Sequence, residues 1–216
     1  MVLRQIQDLL GGIYDVDVAL DVYDYLVTDR RHLPPSVRGA PTDEQLVVEQ
    51  GSGDVAVSLY LDRDVLSRLA AENPLEALHG GNLADYWTAL EGVSHFLYLA
   101  WNAGYDKPVS LLELEMQAEV DKYVTSLWLM RAQAPARFPS ELHPTLFVRA
   151  RVDPVLAGER AGLYRAANDY AARFCRYLDG MVRGGERDGG ERMIAELRRF
   201  YRLGNLRKRE LIERCA

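Results

Sequence analysis

From Leu83 to Ala103 the chain reads LADYWTALEGVSHFLYLAWNA, with no lysine or arginine and with Asp85 and Glu91 as its only charges. A helix on the surface of a domain carries a charged outer face. A helix of this composition must instead be covered on most sides, which makes it the centre of a bundle. Stepping 100° per residue places Leu83, Tyr86, Trp87, Leu90, Val93, Leu97 and Trp101 on one face. Glu91, His95 and Asn102 share a second strip, with Thr88 and Tyr98 at its edges. The expectation is a buried helix with a narrow polar strip inside the protein.

The following segment, from Ser110 to about Gln133, is a second long helix. Its apolar face is Leu112, Met116, Val120, Tyr123, Leu127 and Met130. Glu119 lies at the margin of that face and Glu115 one turn earlier, while Glu113 and Asp121 point elsewhere. Gly104 to Pro108 is a short connection, so the two helices are antiparallel neighbours. With a turn near residue 106, His95 faces 117 and Glu91 faces 121, with Glu119 between them. Glu91, His95 and Glu119 should therefore converge, with Glu115 about one turn nearer the connection.

One imidazole and two or three carboxylates form a ligand set for Zn, Mn or Fe(II), and three protein ligands leave a position for water. Glu115 is then a fourth ligand or the base that deprotonates that water. The paired Glu-x-x-His of di-iron bundles and the His-Glu-x-x-His of zincins are both absent. A simpler account pairs Glu91 with His95 as a buried hydrogen bond and Glu119 with Lys122 as an i,i+3 ion pair. Against it, Lys122 lies ~60° around the helix from Glu119, toward Glu115, and is expected to be a poor neutraliser of the strip.

The rest of the chain gives an α+β reading: a small antiparallel β-hairpin or sheet on the N-terminal side, then a predominantly α-helical bundle. A helix over 2–10 is expected to stop at Gly11-Gly12, and a strand is expected near 22–28. The proline-rich segment 30–43 is a loop, and a candidate lid that brings Arg31 or His32 toward the acidic strip. Glu44–Gln50 and Asp54–Asp62 form a hairpin across Gly51-Ser52-Gly53, with Val55, Val57, Leu59 and Leu61 on a packed face. Asp62 or Asp64 caps a helix over 63–72. Beyond Gln133, helices are expected near 145–152, 158–180, 191–203 and 206–214. The division is one domain over 1–183, with its small β region over 1–72 and its bundle over 82–183. A glycine-rich linker at 184–190 and docking helices over 191–216 follow.

Charge is divided unevenly. Residues 1–130 hold 8 Lys+Arg against 21 Asp+Glu, and residues 131–216 hold 18 against 11. Arginines in the basic half interleave with acids at helical spacing, which argues for attraction between the halves and against nucleic acid. The apolar stripe Met193, Ile194, Leu197, Phe200 and Tyr201 needs burial, on the protein's own bundle, a second copy or a partner protein. No apolar run reaches bilayer length, so no membrane is expected, and two cysteines fit a cytoplasmic protein. Arg165, near Tyr164, Asn168 and Asp169, is a further candidate for binding a carboxylate or phosphate beside the site. The function expected is a metal-dependent enzyme, a hydrolase acting on a small molecule or peptide. The alternative is an interaction protein or complex subunit whose buried polar strip is structural.

Overall fold

The computed structural model describes residues 1–50, 55–135, 138–149, 159–183 and 188–215. In chain order these form α1 (Val2–Tyr14), β1 (Leu26–Val27), β2 (Glu44–Gln50), β3 (Val55–Leu61), α2 (Arg63–Ala71) and α3 (Leu83–Ala103). Then come α4 (Leu111–Gln133), α5 (Leu142–Pro144) with a π turn over Thr145–Arg149, α6 (Glu159–Arg183), α7 (Gly189–Arg202) and α8 (Asn205–Cys215). The architecture is α+β, a helical bundle with one small sheet. The hairpin connection at 51–54 and most of the glycine-rich segment (184–187) lie outside the described residues. Among the described residues no helix is long and apolar enough to cross a membrane.

Two N-terminal expectations are corrected. Helix α1 does not stop at Gly11-Gly12 but continues to Tyr14 and ends on Asp15 in the left-handed region, φ 53°. Two mid-helix glycines cost about 1 kcal/mol each. Burial of Ile13 and Tyr14 in the core outweighs that, because each large apolar side chain contributes about 2 kcal/mol. The expected strand over 22–28 shrinks to Leu26–Val27. Asp21 accepts a hydrogen bond from the Tyr23 backbone N–H, which starts a 3-10 turn over Val22–Tyr25 and drives Val22 into the core. The two extended residues left pair in parallel with β3, so the sheet is mixed, in the order β1-β3-β2.

Strands β2 and β3 are antiparallel, with Leu46 opposite Leu59 and Val48 opposite Val57. Alternation puts Glu44, Leu46, Val48, Val57 and Leu59 on the face toward α3. The other face is covered too. Tyr60 and Val47 pack with Leu33 of the proline loop. Arg30 lies over the Tyr60 ring and donates hydrogen bonds to the carbonyls of Ala40 (2.5 Å) and Thr42. The loop is thereby tied to the sheet.

Helices α3 and α4 run antiparallel through the core. Trp87 donates to Ser126 (3.0 Å), Ser94 to Asp121 (2.6 Å) and Tyr98 to Glu113 (2.5 Å), the register that a turn near residue 106 predicts. Ser110 caps α4 by accepting from the Glu113 N–H. On the side away from the sheet, the two helices hold a closed polar network. Asp121, expected to point elsewhere, accepts from Tyr14, Ser94 and Gln117, and Gln117 in turn accepts from Lys208 Nζ of α8 (2.6 Å). The Lys208 ammonium also sits over the rings of Tyr98 (4.4 Å) and Phe200 (4.5 Å).

The C-terminal stripe is buried on the same bundle. Met193, Leu197, Phe200 and Tyr201 are core residues, with Phe200 stacked on Phe174 and Tyr201 on Tyr14. Arg202 donates to the carbonyls of Tyr14 and Asp15 (3.0 Å each), and Arg198 to that of Ile13 (3.1 Å). These guanidinium groups satisfy the C-terminal carbonyls of α1 and sit at the negative end of its dipole. At these contacts the basic C-terminal region meets the acidic N-terminal region within one chain.

Candidate metal centre

On the sheet side of α3 the strip carries Glu91 and His95, one turn apart. Between them lies Gly92, where a Cβ would come within 2.7 Å of Leu59 Cδ1 and 3.0 Å of Glu44 Cγ. A larger residue at 92 would force the Leu59 and Glu44 side chains to give way. Gly92 therefore admits the head of β2, and Glu44 brings its carboxylate against the helix. Ligand atoms of Glu44, Glu91 and His95 all lie within 4.8 Å of one another. An ion bound at about 2.1 Å by each of three tetrahedral ligands spaces them about 3.4 Å apart, so rotamer adjustments of about an ångström close the set. Glu115 of α4 stands on the other side of the ring.

Distances divide the sequence-predicted residues into two subsets. His95 Nδ1 is 3.8 Å from Glu44 Oε1, and His95 Nε2 is 3.7 Å from Glu115 Oε2. Both exceed hydrogen-bond length. Lys122 Nζ lies 2.6 Å from Glu91 and 2.8 Å from Glu119. Lys122 is thus the neutraliser of Glu91 and Glu119, which corrects the expectation that it would turn away. Its four-carbon stem spans the angular gap that counting around the helix treats as decisive. Glu119 is held in that ion pair and lies outside the converging group. Arg165 is exposed, and its neighbour Tyr164 is the residue of that turn that reaches the cavity described below.

Environment sets the charge of each group. Burial raises the Glu44 carboxyl above its ordinary range, and His95 only partly offsets this. Burial also works against ionised Glu91, but Lys122 and His95 outweigh it and leave Glu91 below the ordinary value. Burial alone would strip the proton from His95. Glu115, Glu44 and Glu91 reverse that and push it up to about 9. Glu115 is raised by burial to about 7, with His95 pulling the other way. Around this one level of the bundle stand four carboxylates (Glu44, Glu91, Glu115, Glu119) against Lys122 and the His95 imidazolium. Among the described residues the cations at this level do not match the acids, so with the acids ionised the remainder is negative charge in a half-dry site.

Two side-chain atoms here are buried without a hydrogen-bond partner, Glu44 Oε1 and His95 Nε2. His95 is only 4% exposed. Orphaned buried polar atoms cost about 1–3 kcal/mol each, which is why native cores seldom leave them. Both residues line the floor of a cavity of about 1010 Å³ between the sheet and the α3–α4 hairpin. Its walls are mainly apolar and include Tyr25, Leu46, Phe96, Leu99 and Leu114. Ala40 and Thr42 of the proline loop contribute to the wall, whereas Arg31 and His32 do not line it.

Sequence reasoning misses Glu44. Its signal is an acid at the head of a strand whose same-face neighbours, Leu46 and Val48, are apolar, together with a glycine beside Glu91 in a helix otherwise free of helix breakers. No protein-family model matches the chain, and neither the curated proteins nor the solved structures contain a significant match.

Proposed function

We propose that the protein is a metal-dependent hydrolase in which Glu44, Glu91 and His95 hold one divalent ion and Glu115 acts as base. The observation that carries this reading is the convergence of ligand atoms from Glu44, Glu91 and His95 within 4.8 Å of one another beside a large cavity, with Glu44 Oε1 buried and lacking a hydrogen-bond partner. One nitrogen and two oxygens suit Zn, Mn or Fe(II), with a position left for water. Such an ion lowers the pKa of a bound water toward neutrality and polarises a carbonyl or phosphoryl oxygen.

The residues do the rest. Lys122 holds Glu91 ionised, so one carboxylate ligand needs no proton removed before it binds an ion. Displacement of the His95 proton frees the imidazole and relieves its pairing with Glu115. Glu115, raised to about 7, is poised to take and return a proton at neutral pH. Arg165 has no role in this, since it is exposed and outside the cavity wall.

The test is hydrolysis of nitrophenyl esters and phosphates by zinc- or manganese-loaded protein against a chelated control. Metal-dependent turnover that falls at least 100-fold in Glu115→Gln, with metal still bound, supports the reading. One bound equivalent with no turnover on any probe moves the protein to the interaction class, with the ion structural.

A further inference from the structure

The shape and lining of the cavity point to the class of ligand. We propose that it takes an amphipathic molecule, an alkyl or aryl body with an oxygen-bearing head, the head directed to the acidic floor and the body lying along the apolar wall. This rests on the metal reading for the anchoring of the head, and on the cavity alone for the body.

Three features carry the proposal. The cavity, about 1010 Å³, is at the upper end of what small-molecule sites offer, ~300–1,000 Å³. Its carboxylates are not scattered, and Lys107 and Ser110, which also line it, stand apart from them at the α3–α4 connection. Glu44, Glu91, His95 and Glu115 gather at one level, while Phe96, Leu99, Ala100 and Ala103 continue the α3 wall away from them, toward the α3–α4 connection. A uniformly polar ligand such as a sugar would leave hydroxyls unpaired against Phe96, Leu99, Ala100 and Ala103, at a cost in desolvation. Val48, Leu111 and Leu20, each 40–43% exposed, also line the cavity. Exposed large aliphatics lining one cavity mark an apolar binding surface rather than random surface.

The floor restricts the head group. With three carboxylates and no metal, an anionic head is repelled, whereas a neutral hydroxyl is accepted. With a divalent ion in place, a chelating head such as a hydroxamate is held strongly. The body should follow hydrocarbon burial, about 0.8 kcal/mol or roughly fourfold in affinity per methylene, until the wall is covered.

The experiment measures dissociation constants for two homologous series, 1-alkanols and alkanohydroxamates of four to ten carbons below their aggregation limits, with and without one equivalent of zinc. Affinity that rises at least threefold per methylene in both series, with hydroxamates binding the zinc-loaded protein at least 100-fold more tightly than the zinc-free protein, is the expected result. Hydroxamates that need zinc but show no chain-length dependence overturn the amphiphile and leave the metal reading standing. Alkanols that show the dependence in a protein with no affinity for zinc support the apolar body and overturn the metal reading. No binding in either series overturns the proposal. Ala100→Trp, which fills the wall two turns from Gly92, should flatten the chain-length dependence while zinc still binds at one equivalent. An undiminished slope in that variant places the chain elsewhere and overturns the proposal as well.

Discussion

Helices α3 and α4 build two buried polar clusters, one on each side, from adjacent residues. Ser94 and Asp121 face α1 and α8, while His95 and Lys122 face the sheet. On the first side each carboxylate oxygen of Asp121 has a donor, the Gln117 amide is used at both ends, and Lys208 lies between two rings. On the second side His95 Nε2 and Glu44 Oε1 have no hydrogen-bond partner, acids outnumber cations among the described residues, and a cavity opens. The first cluster satisfies both oxygens of its carboxylate as folded and fixes how the N- and C-terminal helices dock. The second lacks a positive charge, which is the condition of a binding site. Burial of polar groups does not separate structure from function here. Unbalanced charge beside an open cavity does.

The largest expected effect lies on the closed side. Asp121→Ala removes the acceptor of three buried donors and should lower stability by about 3–5 kcal/mol, seen in urea denaturation. Glu44→Gln should change stability by less than about 1 kcal/mol in the metal-free protein. Equal losses in the two variants would break the contrast.

The two clusters should also respond to pH with opposite sign. Burial lowers Lys208 from its ordinary 10.5 to about 7, so its unfavourable contribution is absent above 10.5 and grows as pH falls toward 7. His95, raised from 6.5 to about 9, contributes stability that is fully present below 6.5 and lost as pH rises through 9. Between pH 7 and 9 the two slopes oppose each other. Lys208→Met should expose the slope of the open site, a loss of about 2–3 kcal/mol from pH 7 to 9 by chemical denaturation of metal-free protein. A stability that is flat or rises over that interval contradicts the assignment.

A subtler expectation concerns zinc affinity, which should fall up to about tenfold per unit as pH drops from 8 to 6, because His95 must release its proton. An affinity independent of pH in titration calorimetry would place the ion away from the imidazole. The smallest effect is Gly92→Ala. Its methyl would press on Leu59 and Glu44, at about 1–2 kcal/mol in stability and about tenfold in zinc affinity. Unchanged affinity would show that the approach of β2 does not set the site.

Much of the fold is local enough to read from sequence. The bounds of α3 and α4 follow from their composition and the Ser110 cap, their register from a short connection, and the hairpin from alternation. The end of helix α1 escapes such a reading because glycine's local cost is smaller than what Ile13 and Tyr14 gain in a core that the local pattern does not describe. Within the site, Glu91, His95 and Glu115 are legible because helical spacing places them on facing sides of one hairpin. Glu44 is not, since strand-to-helix packing sets its position and no spacing rule reaches that far. Lys122 defeats the helical wheel because an angle around a helix says little about where a flexible ammonium ends. The scarcity of lysine holds a clue. Of three lysines among 23 arginines, Lys122 and Lys208 are both buried, one at each cluster.

The central claim, that Glu44, Glu91 and His95 are an unfinished site for one divalent ion, is tested most directly by zinc titration calorimetry on protein stripped of metal. Wild type and Asp121→Asn should each bind one equivalent, while Glu44→Gln and His95→Ala should lose at least 100-fold in affinity with their helical circular dichroism intact. Zinc binding that Glu44→Gln leaves untouched, or no binding by the wild type, would contradict the account.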